Sequence, residues 1–422
     1  MATYDLSALK DKDIIFTGEN RDMTATAAFL KKHSEARSFS HKFVDLNDPA
    51  TAYEQFGSPD LTQTVLVKTA GVPGGKMGAP YTTSTQLFFQ LVKPMGNVTV
   101  GITGTKGKTT TSSLVAAMLR QAGKDVILCG NIGKAMIAYL DEATPETIFV
   151  IELSSYQLEE LRVSPHIACI TNLYNDHVDY HGSLEQYWEA KHHIVAFMEP
   201  GDIFIYNPQF SKCAEWAQAS QATAMPIDPG EPLDMSRTQL IGDHNRLNAL
   251  MAKTAAMQAG ASKADCLAAL DGFQPITHRL QKVATVNDVT FIDDAIASQP
   301  EAAVAGIEAV NKEVGPVSVV LLGGQDRGYD FSQLMKKLAE YNIPALVLFP
   351  DTVAKMKAAF PAGYAPDLLE TKNMDEAVAW AFEHAPRNSV VLLSTGAPSY
   401  SLWKDFEEKG DQFQAAVARL AK

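Results

Sequence analysis

Val98-Thr99-Val100-Gly101-Ile102-Thr103-Gly104-Thr105-Lys106-Gly107-Lys108-Thr109-Thr110-Thr111 is the stretch whose reading decides the fold of this chain. Alternating β-branched residues run into glycines, then Lys-Thr-Thr, then the helical pattern Ser113-Leu114-Val115-Ala116-Ala117-Met118-Leu119. A buried strand, a tight loop and a helix N-terminus in that order bind phosphate. Glycines let backbone N–H groups turn in on an anion, and the helix dipole adds partial positive charge. Lys108 is expected to reach the β/γ-phosphates of a nucleotide and the Thr109 hydroxyl to ligate Mg²⁺. The spacing departs from the usual one, which places a glycine where Ile102 stands; this chain offers Gly104 instead.

The totals set bounds around that loop. A chain of 422 residues exceeds one core and predicts two or three domains. Its hydrophobic share of 46% and charged share of 20% describe a globular protein. A net charge of −13 argues against nucleic acid or an anionic membrane as the main partner. The start, Met1-Ala2-Thr3-Tyr4-Asp5, has no signal-peptide pattern, and no apolar run approaches the ~18 residues of a membrane span. Cys129, Cys169, Cys213 and Cys266 are scattered without a C-x-x-C pair, as expected of reduced thiols. A cytoplasmic protein is expected.

Upstream of the loop, Asp13-Ile14-Ile15-Phe16 reads as a strand leading to Thr17-Gly18 and a helix through 25–32. Thr64–Lys68 reads as another, running into Thr69-Ala70-Gly71-Val72-Pro73. Such turns suit a nucleotide or diphosphate at strand carboxyl ends, or are simple turn chemistry. No G-x-G-x-x-G is present, so NAD is unsupported. Downstream, Asp125–Leu128 is a strand before the turn Gly130-Asn131-Ile132-Gly133. Thr147-Ile148-Phe149-Val150-Ile151-Glu152 is a buried strand delivering an acid at its carboxyl end. A buried carboxylate is costly unless paired or bound to a cation, which makes Glu152 a natural Mg²⁺ ligand. Ile167–Leu173 is a strand before Asp176-His177-Val178-Asp179-Tyr180-His181, a metal-binding segment or a solvated, capped turn. On the helix 184–198, Tyr187, Ala190, Ile194 and Phe197 form one stripe, with Lys191 inside it. That lysine either snorkels or is a buried amine of lowered pKa. Asn245 and Asn248 share a helix face and are placed to read a base edge. Past His278-Arg279, strands at 289–294, 317–322, 345–349 and 389–393 alternate with helices, as in a doubly wound parallel sheet.

The constellation resembles the Mur ligase family of peptidoglycan synthesis, most closely its members that add D-glutamate. The resemblance rests on Gly101–Thr110, Gly130-Asn131-Ile132-Gly133, Glu152-Leu153-Ser154-Ser155-Tyr156-Gln157-Leu158-Glu159 and Asp176-His177 followed by Tyr187 and Lys191. His244-Asn245 with Asn248, His278-Arg279, Gly323-Gly324 and the run from Ser399 through Phe406, Glu407, Gly410 and Phe413 keep the family order. It covers essentially the whole chain and accounts for Ile102 in the loop.

The resemblance implies an α/β fold in three domains. They are a Rossmann-like UDP-substrate domain (1–96), a central P-loop ATPase domain with a parallel sheet (97–277), and a Rossmann-like amino-acid domain (278–422). It implies ATP-dependent addition of glutamate to UDP-N-acetylmuramoyl-L-alanine through an acyl phosphate, by a monomer, without nucleic acid or membrane partners. Gly104, Thr105, Lys106, Gly107, Lys108, Thr109 and Thr110 would hold ATP phosphates, Asn245 and Asn248 adenine, Arg279 phosphates and Asp294 ribose. Thr109 and Glu152 would hold one Mg²⁺, and His177 and Lys191, the latter as its carbamate, a second. Thr17, Gly18, Thr69, Gly71 and Asn131 would face the UDP-sugar. Lys108, Asn131, Glu152, His177 and Lys191 form the expected catalytic set. Ser298, Arg327, Ser399, Tyr400 and Phe406 would bind the amino acid.

The chain departs from the family in that last group. Asp294-Ala295-Ile296-Ala297-Ser298-Gln299 puts Ile296 where the family has a lysine. Arg327 replaces another lysine, Tyr400 an aliphatic residue and Gln281 an acid. An anionic amino acid is still expected, because Arg327 can bind its side-chain carboxylate bidentately, while D- and L-glutamate stay open. Folylpolyglutamate synthase shares the ATPase core, but Gly130–Gly133 and the C-terminal run favour the muramoyl ligases. Amidating relatives that work with a glutaminase carry a cysteine cluster that this chain lacks. A non-catalytic nucleotide binder need not keep Lys108, Glu152, His177 and Lys191 together.

Overall fold

The computed structural model describes residues 4–238, 240–274 and 277–420. The chain builds three sheets. The first holds β1 (Asp13–Phe16), β2 (Ser38–His41), β3 (Thr64–Lys68) and β4 (Tyr81–Thr83), all parallel in the order β2-β1-β3-β4. The second holds β5 (Thr99–Thr103), β6 (Val126–Gly130), β7 (Ile148–Glu152), β8 (Ile167–Ile170), β9 (Ile203–Tyr206) and β10 (Thr223–Pro226), again all parallel, in the order β10-β9-β8-β5-β7-β6. The third holds β11 (Gln281–Val286), β12 (Val289–Asp293), β13 (Val317–Gly323), β14 (Ala345–Phe349), β15 (Asp367–Glu370) and β16 (Ser389–Leu393) in the order β11-β12-β16-β13-β14-β15. β11 pairs antiparallel with β12, so this sheet is mixed at one edge. The sequence reading assigns β6 at one edge and β12 of the hairpin, but not β11, the edge strands β2, β4, β10 and β15, or β9.

Two compact units result. One takes residues 1–233 and 247–271, the other 234–246 and 272–422. In the first, Val100, Ile102, Phe149, Val150, Ile151, Ala168, Cys169 and Ile170 are wholly enclosed, because helices cover both faces of a parallel sheet. The strands therefore read as continuous apolar runs. In the second unit, β13 is buried along its whole length and β14 likewise.

Each sheet reverses its winding once, and the reversal opens a crevice at the strand carboxyl ends. In the first sheet it falls between β1 and β3, where Thr17 and Thr69 follow the strands. In the second it falls beside β5, which enters the phosphate loop. In the third it falls around β12, β16 and β13, which enter Asp294, Ser394 and Gly324. Thr17, Thr69, Gly104 and Asp294 lie in the turns that leave these strands.

Candidate active site

The phosphate loop is held open by its neighbours. The helix Lys108–Gln121 starts behind Gly107, whose φ of 79° favours glycine. A Cβ on Gly107 would lie 2.5 Å from the Asn248 Oδ1, and one on Gly104 (φ 147°) would lie 1.9 Å from the Thr171 hydroxyl. The segment after β8 staples the loop from the side. Thr105 N–H donates to the Asn172 carbonyl (3.1 Å), Lys106 N–H to Asn172 Oδ1 (2.8 Å), and Thr171 Oγ1 to the Lys106 carbonyl (2.6 Å). Tyr187 OH donates to Thr105 Oγ1 at 3.2 Å. The Lys108 ammonium folds back on the carbonyls of Gly104 (3.1 Å) and Thr105 (3.0 Å). Thr109 and Thr110 lie in the first turn of the helix.

Glu152 ends β7 beside this loop and is almost wholly enclosed. Register pairs it with Ile102 on one side and Gly130 on the other. A Cβ on Gly130 would stand 2.1 Å from the Glu152 carbonyl oxygen, so the Gly130–Gly133 turn can pass only as glycine there. Asn131 Nδ2 donates to Glu152 Oε1 at 3.0 Å, and Arg21 holds the same turn by donating to the carbonyls of Gly130 (3.1 Å) and Gly133. Glu152 Oε2 is buried with no hydrogen-bond partner. An enclosed carboxylate oxygen without a donor is costly. A divalent cation satisfies it, and a Thr hydroxyl, one carboxylate and nucleotide phosphates are the donor set Mg²⁺ prefers. The residues present fit that ion.

Lys191 is also enclosed, 1% exposed, with its Nζ donating to the Gly104 carbonyl at 2.9 Å and standing 4.6 Å from the Tyr187 ring centroid. Burial, with Lys108 nearby, pushes its amine well below the ordinary lysine range, against the pull of Asp176. Tyr187, Ala190 and Ile194 line the same buried stripe, as the spacing predicts. Phe197 does not: it sits beyond the last turn and is 36% exposed. His177 stands at φ 48° ahead of a short helix, exposed, with Nδ1 3.2 Å from Tyr156 OH and its ring 6.0 Å from that of Tyr187. The Asp179 side chain lies outside the described residues. Among the described residues, no three His, Cys, Asp or Glu side chains converge on a metal.

Asn245 and Asn248 are both buried on the helix Asp243–Gln258. Asn245 Nδ2 donates to the Ile241 carbonyl (2.7 Å), whereas the Asn248 amide lies against Gly107.

In the first sheet, Thr17 Oγ1 accepts from Thr69 N–H (2.9 Å), and Thr69 Oγ1 accepts from Asn20 Nδ2 (2.6 Å). Gly18 lies beside Thr69, and Gly71 faces open space. A cleft of about 310 Å³ opens here, lined by Asn20, Lys68, Thr69, Thr83, Tyr156 and Gln157 among others. Tyr156 and Gln157 belong to the 152–159 motif but carry no expected role, and Lys68 is read only as the end of a strand. Lys68 is buried, donating to the Val72 carbonyl at 2.9 Å with Glu159 at 3.7 Å. A lysine closing an apolar strand was the signal.

In the second unit, Asp294 is buried against Ser394 Oγ, which donates at 2.8 Å. Burial pushes its carboxyl up to about 7, while the Ser394 hydrogen bond and Arg279 pull it down. Arg279 carries a buried Nε without a hydrogen-bond partner. Arg327 lies over the exposed Tyr400 ring at 5.6 Å, with Nε donating to Gln325 Oε1 at 3.1 Å. Ser399 is buried, Ser298 half-buried, and Phe406 opens the last helix with its ring 6.4 Å from that of His278.

Comparison with known proteins bears on both units. The model of the Mur ligase middle domain matches residues 102–256, and that of the Mur ligase glutamate ligase domain matches residues 278–396. UDP-N-acetylmuramoylalanine–D-glutamate ligase of Symbiobacterium thermophilum is 32% identical over 349 residues, 76% of this chain and 75% of that protein. The same-named enzyme of Ligilactobacillus salivarius is 32% identical over 390 residues, 85% of this chain and 83% of that one. Among solved structures, MurF ligase from Thermotoga maritima in complex with ADP superposes with a TM-score of 0.61 at 14% identity, covering 97% of this chain and 96% of that one. UDP-N-acetylmuramate–alanine ligase from the same organism gives 0.60 at 17% identity, covering 97% and 99%. These last two share the fold. No helix among the described residues is long and apolar enough to cross a membrane.

Proposed function

The chain belongs to the Mur ligase family, and from that premise we propose that it joins D-glutamate to UDP-N-acetylmuramoyl-L-alanine at the expense of ATP. It is an ADP-forming amide ligase of peptidoglycan precursor synthesis. The observation that carries the reading is the junction of the phosphate loop with the enclosed Glu152 and Lys191.

The substrate carboxylate attacks the γ-phosphorus of ATP in line, giving an acyl phosphate and ADP. The glutamate amine then attacks the acyl carbon, and phosphate leaves from a tetrahedral intermediate. Lys108 leaves the loop carbonyls for the β/γ-phosphates and offsets the charge that gathers on the transferring group. Backbone N–H groups from Gly104 to Thr110 cradle the phosphates. Mg²⁺ held by Thr109 and Glu152, and a second ion held by His177 and Lys191, supply Lewis-acid neutralisation when bound. Lys191 serves as its carbamate: only a neutral amine adds CO₂, and burial shifts this one toward its neutral form. The carbamate then offers the anionic oxygen that Mg²⁺ prefers. Asn131 orients Glu152. Asn245 and Asn248 meet adenine, Arg279 the phosphates and Asp294 the ribose. Thr17, Gly18, Thr69 and Gly71 take the UDP-sugar, and Ser298, Arg327, Ser399, Tyr400 and Phe406 the glutamate.

We assign these roles to three functional parts, 1–96, 97–277 and 278–422, working within a monomer in the cytoplasm. Phosphate release with UDP-N-acetylmuramoyl-L-alanine, ATP and either enantiomer of glutamate tests the reading. Turnover with D-glutamate is expected. Turnover with L-glutamate alone would reassign the stereochemistry, and none with either would overturn the proposal.

A further inference from the structure

Among the described residues of the second unit, the chemistry above leaves a buried lysine without a role. Lys409 lies on the helix Phe406–Leu420, where the run Glu407-Glu408-Lys409 reads as a solvated face, yet its side chain is fully buried. An ammonium has three donors and no acceptor, so it stays buried only where oxygens receive it. Its Nζ donates to Thr395 Oγ1 at 2.6 Å and sits 5.7 Å from the Trp403 ring centroid. Burial pushes its amine down to about 7, against the pull of Asp293 and Asp294 at the end of β12, so the Thr395 contact is what holds the side chain in place.

Thr395 passes that contact on to the backbone around it. Because its hydroxyl oxygen accepts from Lys409, its own proton is left for the carbonyls of Ala397 (3.1 Å) and Ala297 (3.3 Å). Around it the backbone is cross-tied. Gly396 N–H donates to the Ala297 carbonyl (2.9 Å), Gly323 N–H to the Thr395 carbonyl (2.9 Å), and Gln325 N–H to the Pro398 carbonyl (2.8 Å). The segments so joined follow β12, β16 and β13, and carry Ser298, Ser399 and Arg327.

We propose that Lys409 is a positioning residue of the amino-acid site, which through Thr395 holds in register the loops bearing Ser298, Ser399 and Arg327. It touches no substrate. Its effect falls on capture of the incoming amino acid and leaves activation of the UDP-substrate alone. This rests on the reading that glutamate is the second substrate.

The test compares Lys409→Met, Lys409→Arg and Thr395→Val with the full-length wild type. The readouts are the KM values for glutamate, ATP and UDP-N-acetylmuramoyl-L-alanine, acyl phosphate trapped by hydroxylamine in the absence of glutamate, and the thermal midpoint. Lys409→Met is expected to raise the glutamate KM tenfold or more, with the other two KM values and the trapped acyl phosphate within twofold of wild type. Lys409→Arg, which keeps an N–H donor on a long side chain, should recover part of the loss. Thr395→Val removes only the hydroxyl and should reproduce the rise in glutamate KM; it decides the matter where Lys409→Met does not fold. An unchanged glutamate KM in both folded variants, or a parallel rise in all three KM values, overturns the proposal. Wild-type turnover with a different amino acid would instead overturn the substrate reading, and the KM for that amino acid would then report on Lys409.

Discussion

Three buried ionisable side chains differ in how far the sequence reveals them. Glu152 is legible because an acid closes an unbroken apolar strand. Lys191 is legible because it interrupts a helical stripe that is otherwise apolar, and its burial follows from that stripe. Asp294 is legible as an acid at the end of β12, but its enclosure behind Ser394 is not, since Ser394 arrives from a strand 100 residues away in sequence. Lys191→Arg tests the carbamate. Arginine holds a fixed charge and cannot take up CO₂. Activity is expected to fall by about 10²-fold or more, the scale on which one electrostatic group acts at a phosphoryl-transfer site. Bicarbonate added to CO₂-depleted buffer should restore the wild type and leave the variant unchanged. Asp294 yields a pH dependence. Its carboxyl titrates near 7 in the folded chain against an ordinary value of 3.8. The native state therefore holds more protons than the unfolded state between those values, and stability from this group falls as pH rises through that window. Asp294→Asn lacks the titration, so its thermal midpoint should fall less than that of the wild type between pH 4.5 and 8.

Among the elements, strands buried on both faces are the readable ones. β5, β7, β12, β13, β14 and β16 show as apolar runs bounded by turns. β2, β10 and β15 are partly exposed strands at sheet edges, and β4, at another edge, has only three residues. None has a period-2 pattern or a long apolar run to announce it. β11 is hidden for a different reason: it pairs antiparallel through the turn at Asn287 and Asp288, both at positive φ, in a chain whose other pairings are parallel. The phosphate loop itself is readable as an element, but the reason for its odd glycine is not. Gly104 is fixed by Thr171, whose hydroxyl leaves no room for a Cβ, and that neighbour comes from β8. Gly104→Ala should therefore displace Thr171 and pull the staple off Lys106. We expect ATP affinity to drop by about tenfold or more and the thermal midpoint by several degrees, the scale of a positive-φ strain with a steric clash. Isothermal titration with a non-hydrolysable ATP analogue and a melting curve check this. Native ATP affinity in the variant would show that the loop tolerates a side chain there.

At the scale of the whole molecule, three sheets each place their crevice where the winding reverses, and the chemistry divides among them. The site was legible in outline because each crevice opens on a turn of small or polar residues: Thr17-Gly18, Gly101–Thr110, Gly323-Gly324 and Ser394–Ser399. What the sequence did not reveal is how those turns are braced, since Arg21, Asn172, Thr171 and Thr395 act across sequence distances that no local pattern encodes. The division itself is open to test. Groups for phosphoryl transfer, Lys108, Glu152 and Lys191, belong to the first unit, and Arg327, the proposed partner of the glutamate side chain, belongs to the second. Lys108→Ala should abolish both half-reactions: it is expected to bind UDP-substrate, to yield no hydroxylamine-trapped acyl phosphate, and to release no phosphate when glutamate is added. Arg327→Gln should split them. Losing a charge-assisted, bidentate contact costs about 1.5–3 kcal/mol, so the glutamate KM should rise by roughly 10- to 100-fold while the trapped acyl phosphate stays at the wild-type level. Arg327→Lys, keeping charge without the fork, should fall between. Loss of acyl phosphate in Arg327→Gln would mean that the second unit takes part in activating the carboxylate as well as in delivering the amine.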